Sequence, residues 1–159
     1  MNPIHIQISE NYAELPEKQL RQTARLRHRR QSRRQLAKNS KAMRRDPFGY
    51  VSFYVFALKR KNVVGFAYFC RNESDAAQWY YGDLVVRKTY RYRGIATELL
   101  EQGIRALKAK NAAKLVTYID YGNEGSLAFH QKMSFARSER QQPFNGLLME
   151  GRAVYEHAL

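Results

Sequence analysis

A strand, a helix and a second strand follow one another between residues 79 and 120, and this unit restricts the fold more than any other part of the sequence. WYYGDLVV (79–86) is a run of β-branched and aromatic residues that predicts a buried strand. From Gly94, apolar residues recur at helical spacing up to Lys110, and KLVTYID (114–120) predicts the second strand. Such a unit is a right-handed crossover between parallel strands. Its ligand cleft normally lies beyond the carboxyl ends of those strands.

Apolar runs on both sides of this unit extend the sheet. GYVSFYVFAL (49–58) and VVGFAYFC (63–70) are separated by a polar tetrapeptide, which predicts a hairpin. Near the start, Ile4, Ile6 and Ile8 alternate with polar residues and predict a first strand. A shorter helix is expected from Asn123 through SLAFHQKM, followed by a closing hairpin of SFARSER and NGLLMEGRAV. The predicted fold is a mixed α/β sheet flanked by helices, in one domain spanning residues 1–159.

Composition excludes several classes of protein. Hydrophobic residues make up 44% of the 159 residues and aromatic residues 13%, which is too apolar for a disordered chain. No apolar run approaches the roughly 18 residues of a membrane span, and the first residues lack the order of a secretory signal peptide. Cys70 is the only cysteine, which excludes a disulfide framework and a cysteine-rich metal site within one chain. We therefore expect a cytoplasmic protein without a bound metal, in which Cys70 is buried packing rather than a nucleophile.

The positive charge of the chain is concentrated in one segment. The formal net charge is +14, and residues 17–45 contain twelve lysines and arginines with only one acidic residue, a net of +11. A local charge of this size suits an anionic partner such as a nucleic acid, a ribosome or an acidic protein. The alternatives are a solvated helix or a contact within a homodimer, since long runs of charge are usually solvated.

The same region predicts a basic helical segment over residues 12–46. Ser9 and Asn11 are residue types that cap helices, so the helix is expected to begin near Tyr12, with at most one break, and to end at Pro47. In RLRHRRQSRRQ (25–35) the only aliphatic residue is Leu26. We therefore expect no apolar stripe that would dock this stretch on a core, which leaves it exposed, disordered or bound to a partner.

The turn between the strand at 79–86 and the helix from Gly94 is suited to binding an anion. At a helix N-terminus the first N–H groups have no partner within the helix, and the helix dipole adds positive potential. Gly94 and Ala96 lack the bulk that would keep a pyrophosphate away from the backbone, and Arg91 and Arg93 add charge. Neither a P-loop nor a dinucleotide-binding fingerprint fits this turn, because it has no Gly-Lys-Ser/Thr and no third glycine. A plain turn before a helix is the alternative.

The order of residues in this turn resembles a family signature. Arg91-x-x-Gly94-x-Ala96 resembles the Arg/Gln-x-x-Gly-x-Gly/Ala signature of the GNAT superfamily of N-acetyltransferases, and it follows a strand ending in Leu84-x-Val86 at the family's spacing. The resemblance covers roughly residues 4–154. The Arg-rich segment is not itself a family feature.

A second element downstream is similar to the family's Asn-x-x-Ala-x-x-Leu-Tyr-x-Lys-x-Gly-Phe. Here it reads Asn123-x-x-Ser126-Leu127-x-Phe129-His130-x-Lys132-Met133-Ser134-Phe135. Two positions depart from the family pattern, because His130 stands where the family usually has Tyr and Ser134 where it usually has Gly. Two motifs in the same order along the chain make coincidence a poor explanation.

The resemblance implies a GNAT-like fold and an acetyl-CoA-dependent transfer of an acetyl group to a primary amine. In the family, the backbone of the strand bonds the pantetheine arm, and the loop before the helix holds the pyrophosphate. Asn123 either bonds the pantetheine or caps its own helix. The cofactor-binding residues implied are Leu84, Val85, Val86, Arg91, Tyr92, Arg93, Gly94, Ile95, Ala96, Thr97 and Asn123.

Three residues are the catalytic candidates. The resemblance implies that His130 protonates the departing thiolate, as the family's Tyr is thought to do, because an imidazolium is an effective acid near neutral pH; packing or capping is the alternative. Asp83 and Tyr80 lie on the cofactor strand, and Asp83 is the first candidate for the general base that accepts the proton of the amine. The alternation of side chains along the strand points Asp83 away from the cleft unless a bulge intervenes.

The sequence does not name the acceptor of the acetyl group. Six aromatic residues of the strands either line an acceptor site or form core and cross-strand packing; they are Tyr50, Phe53, Tyr54, Phe56, Tyr80 and Tyr81. The positive charge disfavours polycationic acceptors unless a local acidic pocket overrides the repulsion. We expect an amine of a protein or peptide, with a small molecule as the alternative. The competing function is a binding protein, in which the Arg-rich segment holds a nucleic acid or a ribosome on the same scaffold.

Overall fold

A mixed sheet of seven strands organises the part of the chain that the structure describes. This structure is a computed structural model, and it describes residues 3–28, 30, 32–44 and 50–159. The strands are β1 (His5–Ser9), β2 (Ser52–Lys59), β3 (Asn62–Arg71), β4 (Gln78–Val86), β5 (Lys114–Asp120), β6 (Ala136–Arg137) and β7 (Arg152–Ala158). The helices are α1 (Glu17–Arg27), α2 (Arg33–Met43), α3 (Ile95–Ala109) and α4 (Glu124–Lys132), with 3-10 turns at Tyr12–Glu14 and Lys88–Tyr90. The predicted mixed α/β sheet is confirmed, and no helix among these residues is long and apolar enough to cross a membrane.

The order of strands in the sheet is β1-β2-β3-β4-β5-β7-β6. All neighbours are antiparallel except β4 and β5, which are the parallel pair of the predicted crossover through α3. The turn of the β2–β3 hairpin places Arg60 and Lys61 at φ angles of 48° and 61°, the backbone that two-residue hairpin turns require. The hairpin prediction is therefore confirmed. The closing hairpin is also present, although β6 contributes only two residues.

The parallel pair is short, and its shortness creates an opening in the sheet. β4 and β5 are paired only from Gln78 to Tyr80 and from Lys114 to Val116. Beyond these residues the two strands separate, so the rest of β4 has no strand partner on that side among the described residues. An unpaired strand edge can bond an extended ligand as an additional strand.

A β-bulge in β4 lies beside this opening. Tyr68 of β3 faces Gly82, whereas Phe66 faces Val85, so β4 has one residue more than β3 over this stretch. The backbone of Asp83 has a φ angle of 53°, which is uncommon for a residue other than glycine. The structure therefore contains the bulge that the sequence analysis required for Asp83 to face the cleft.

The two faces of the sheet carry separate cores. α3 covers one face and packs its buried leucines on Phe53, Phe69 and Trp79. α3 approaches closely at Gly103, where a Cβ atom would stand 2.0 Å from Cζ of Phe69. The other face is covered by α1 and α2 and by the residues before β7, and its core includes the buried Cys70.

The basic segment forms two helices, and α1 docks on the sheet. α1 buries Leu20, Thr23 and Ala24, which precede the stretch 25–35. The expectation that residues 25–35 do not dock is wrong at Arg27, whose side chain is only 13% exposed. A long arginine side chain can be buried along most of its length, so a search of this stretch for aliphatic residues missed it. α2 begins at Ser32, whose hydroxyl accepts from the backbone N–H of Gln35 at 3.2 Å. The predicted end at Pro47 and the basic residues Arg29 and Arg45 lie outside the described residues.

Candidate active site

A cleft of about 1210 Å³ occupies the opening between β4 and β5. Its walls come from β4, the turn before α3, the start of α3, β5, α4 and the C-terminal end of α1. Thirteen of the predicted site residues line it: Tyr80, Asp83, Leu84, Val85, Val86, Arg91, Tyr92, Gly94, Ile95, Ala96, Thr97, Asn123 and His130. Arg93 does not line the cleft, and its guanidinium lies 5.6 Å from the centre of the Tyr90 ring.

The loop before α3 forms one end of the cleft. Gly94 is the N-cap of α3 with a φ angle of 76°, and no side chain among the described residues caps the helix there. A Cβ atom at Gly94 would meet no heavy atom within 4 Å, so the space in front of the helix is open. Arg91 is held near it, because its Nε donates to the carbonyl oxygen of Val86 at 3.2 Å. The N–H groups of a helix N-terminus, the helix dipole and a fixed guanidinium charge are the features that favour an anion at this end.

The bulge holds Asp83 in an ion pair. One carboxylate oxygen of Asp83 accepts from Nη2 of Arg27 at 2.9 Å. The side chain of Arg27 is 13% exposed and that of Asp83 is 39% exposed, so the pair lies at the wall of the cleft with the carboxylate toward solvent. Nη2 of Arg27 also donates to the Tyr54 hydroxyl at 2.8 Å, and the guanidinium lies over the rings of Tyr54 and Phe66.

Tyr80 lies beside this pair. Burial, reinforced by the charge of Asp83, raises the pKa of Tyr80 well above its ordinary value. The hydroxyl is therefore protonated at neutral pH and acts as a hydrogen-bond donor rather than a base. Its ring leans over Gly82, where a Cβ atom would stand 2.3 Å from the Tyr80 hydroxyl oxygen. A glycine at this position is what allows the Tyr80 side chain to lie along the cleft.

His130 of α4 is buried in the wall of the cleft, and both of its ring nitrogens have hydrogen-bond partners. Nδ1 donates to the carbonyl oxygen of Ser126 at 2.6 Å, and the Tyr81 hydroxyl donates to Nε2. Burial lowers the pKa of His130 below its ordinary value, which favours the neutral ring at pH 7. These contacts favour the packing alternative for His130 over a protonated acid facing the cleft. Asn123 caps α4 by accepting from the backbone N–H of Ser126 at 3.1 Å, as the capping alternative predicts.

Most of the aromatic residues of the strands belong to the cores. Phe53, Tyr54 and Phe56 are fully buried, and Tyr50 is half-buried away from the cleft. Only Tyr80 and Tyr81 of this group line the cleft. Core packing is therefore the main role of the group.

Part of the lining of the cleft comes from residues that no sequence pattern indicated. α1 and the turn after it contribute Leu26, Arg27, His28 and Arg30. β5 and β7 contribute Asp120 and Arg152, which form an ion pair of 2.7 Å. No local pattern separates Arg27 from the neighbouring arginines, because its role depends on a strand more than 50 residues later in the chain. Among the described residues, no three His, Cys, Asp or Glu side chains lie close enough together to hold a metal ion.

Comparison with known proteins matches this chain to one family. The model of the acetyltransferase (GNAT) family matches residues 12–135. N-alpha-acetyltransferase MAK3 of Arabidopsis thaliana is 36% identical over 61 residues, which are 38% of this chain and 32% of that protein. N-alpha-acetyltransferase 30 of Schizosaccharomyces pombe is 28% identical over 91 residues, which are 55% of this chain and 60% of that protein. The chain thus matches less than two thirds of the length of either relative.

Two solved structures illustrate the likeness of the fold. An acetyltransferase from Streptococcus agalactiae superposes with a TM-score of 0.75 at 16% identity, covering 97% of this chain and 98% of that one. The PaiA N-acetyltransferase from Thermoplasma acidophilum in complex with coenzyme A superposes with a TM-score of 0.68 at 13% identity, covering 98% and 99%. At these identities the likeness concerns the fold alone.

Proposed function

We propose that this chain, which belongs to the acetyltransferase (GNAT) family, transfers the acetyl group of acetyl-CoA to a primary amine of a protein or peptide. One observation carries the proposal. The cleft joins an anion site at the start of α3 to the ion-paired carboxylate of Asp83 along the free edge of β4. A cofactor with a pyrophosphate, an extended arm and a reactive end fits such an arrangement.

The residues present fit acetyl-CoA in the order that the family implies. The open backbone at Gly94 and the charge of Arg91 suit the pyrophosphate. Leu84, Val85 and Val86 belong to the unpaired edge of β4, which suits the amide groups of the pantetheine arm. When bound, the cofactor supplies a thioester whose carbonyl carbon is attacked by the amine.

The residues around the bulge would prepare the amine. An ammonium group has to lose a proton before its nitrogen can attack, and Asp83 is the carboxylate of β4 at the wall of the cleft, partly open to water. We assign to Asp83 the role of general base, directly or through one water. The Tyr80 hydroxyl would donate a hydrogen bond to the acceptor, and unpaired N–H groups of β4 would stabilise the carbonyl oxygen as charge develops on it. His130 would support the part of the cleft wall against which the thioester would lie.

Two observations favour a protein or peptide as the acceptor. Both sequence relatives are described as N-alpha-acetyltransferases, and the net charge of +14 repels polycationic small molecules. The experiment is to incubate the purified protein with acetyl-CoA and peptides with free amino termini, and to measure thiol release and peptide acetylation. The Gly94→Glu variant is the matched control, because its carboxylate would occupy the anion site. If no peptide is acetylated by folded wild-type protein that binds acetyl-CoA, the proposed acceptor class is wrong.

A further inference from the structure

One face of α2 is cationic and has no counter-charge. Arg34, Lys38 and Lys41 recur at spacings of four and three residues, and all three are exposed. The residues that α2 turns inward are Ser40 and Met43, and these lie two positions after Lys38 and Lys41. Two residues correspond to about 200° around a helix, so the three cations point away from the core. None of them forms an ion pair within the described part of the chain.

This face continues into the cleft. Arg30 in the turn before α2 is exposed and has no acidic partner among the described residues. Arg30 also lines the cleft. We name the surface formed by Arg30, Arg34, Lys38 and Lys41 the cationic face. A chain that leaves the cleft past Arg30 would then meet α2.

Two of the arginines that line the cleft are paired with carboxylates, whereas the residues of the cationic face have no acidic partner among the described residues. Asp83 is paired with Arg27 at 2.9 Å, and Asp120 with Arg152 at 2.7 Å. The charge of the cationic face is therefore uncompensated, and it adjoins the cleft at Arg30. Positive potential of this kind attracts an anionic partner and sets its orientation.

We propose that the acceptor is a peptide or protein amine followed by an acidic chain segment, and that the cationic face binds this segment. The inference rests on the proposed function. A nucleic acid would also bind cations, but it offers no aliphatic primary amine to the cleft that the face adjoins. From Arg34 to Lys41 the face extends about 10 Å along α2, which about three extended residues span. A short acidic run after the acetylated amine is therefore sufficient.

The experiment compares three peptides that share length and first residues but differ downstream. One carries a run of Asp and Glu, the second the corresponding Asn and Gln, and the third a run of Lys. At low salt the acidic peptide is expected to have a kcat/KM at least about tenfold above that of the neutral peptide, mainly through KM, because the added contacts do not change during the reaction. The advantage should shrink as salt is raised, since exposed charges are screened.

A charge-matched pair of variants tests the surface itself. Replacing Arg34, Lys38 and Lys41 with Gln should bring the acidic-to-neutral ratio toward one and leave both the neutral peptide's kcat/KM and acetyl-CoA binding unchanged. The control replaces Lys108, Lys132 and Arg140, which are exposed and do not line the cleft, and should keep the full ratio.

Three results would overturn the inference, and they differ from one another. Equal acetylation of acidic and neutral peptides at low salt refutes it while leaving the proposed function intact. An unchanged ratio in the α2 variant, together with lost binding of a single-stranded RNA oligonucleotide, makes the face a nucleic-acid site instead. No acetylation of any peptide refutes the proposed function and this inference with it.

Discussion

The ion pair between Arg27 and Asp83 is expected to couple α1 to the bulge of β4 by a measurable free energy. The two groups approach to 2.9 Å, with 13% of the arginine side chain and 39% of the aspartate side chain exposed. Unit charges about 4 Å apart attract by about 4 kcal/mol at an effective dielectric constant of 20. Exposed pairs, in contrast, measure about 0.2 to 1 kcal/mol because water and side-chain entropy offset the attraction. Because this pair is only partly exposed, we expect a coupling free energy of about 1 to 2 kcal/mol.

A double-mutant cycle isolates this term. Arg27→Met keeps the aliphatic stem that packs against Tyr54 and Phe66, and Asp83→Asn keeps the shape of the carboxylate. The free energy of unfolding in urea is measured for the wild type, both single variants and the double variant. The same cycle on Arg152 and Asp120, whose side chains are 46% and 60% exposed, is the control and should give less than about 1 kcal/mol.

A coupling below about 0.3 kcal/mol for Arg27 and Asp83 would contradict the reasoning, because distant and independent sites already add to within that amount. It would mean that α1 is not anchored at the bulge by charge. Acetyl-CoA binding should be unaffected in all four proteins, since neither residue belongs to the loop before α3 that is proposed to hold the pyrophosphate. A loss of acetyl-CoA binding would show instead that Arg27→Met disturbs the whole fold.

Three further outcomes follow from the site. Acetyl-CoA at one hundred times its dissociation constant should raise the free energy of unfolding by about 2.7 kcal/mol, and Gly94→Glu should abolish this increase; a melting temperature that acetyl-CoA leaves unchanged in the wild type contradicts the cofactor assignment. Asp83→Asn should lower turnover by roughly 10²-fold without weakening the binding of acetyl-CoA; near-normal turnover would show that Asp83 is not the general base. Because burial lowers the pKa of His130, the unfolded chain takes up a proton near pH 6.5 before the folded chain does, so stability should fall as the pH drops below about 6.5. His130→Gln should flatten that part of the stability curve, and an unchanged slope would mean that the ring is not desolvated.

Elements that local pattern and turn chemistry specify together could be predicted from the sequence. The β2–β3 hairpin, the crossover through α3 and the loop at Gly94 are of this kind, because periodicity and turn residues agree there. The docking of residues 25–35 could not be predicted from that stretch, because the side chain buried there is the charged Arg27. The pairing of Arg27 with Asp83 is likewise a tertiary contact, which no spacing in the sequence indicates.

The environment of His130 shows a different limit. The motif placed His130 on α4 at the wall of the cleft, as the structure has it. Burial lowers the pKa of His130 and the hydrogen bond to the Ser126 carbonyl raises it, and neither contribution is visible in the motif. A motif position therefore predicts where a side chain lies in the fold better than it predicts the protonation state of that side chain.

In the proposed function one strand serves both the cofactor and the acceptor, and the bulge in β4 accounts for this arrangement. Before it, Trp79 and Tyr81 face the α3 core, and after it Leu84 and Val86 face the same core. Without an inserted residue, the alternation of side chains would place positions 83 and 85 there instead. The insertion thus keeps the free edge of β4 anchored on α3, where the loop at Gly94 begins the helix. Asp83 is the inserted residue and belongs to neither core. Its side chain can therefore pair with Arg27 of α1, on the face of the sheet opposite α3.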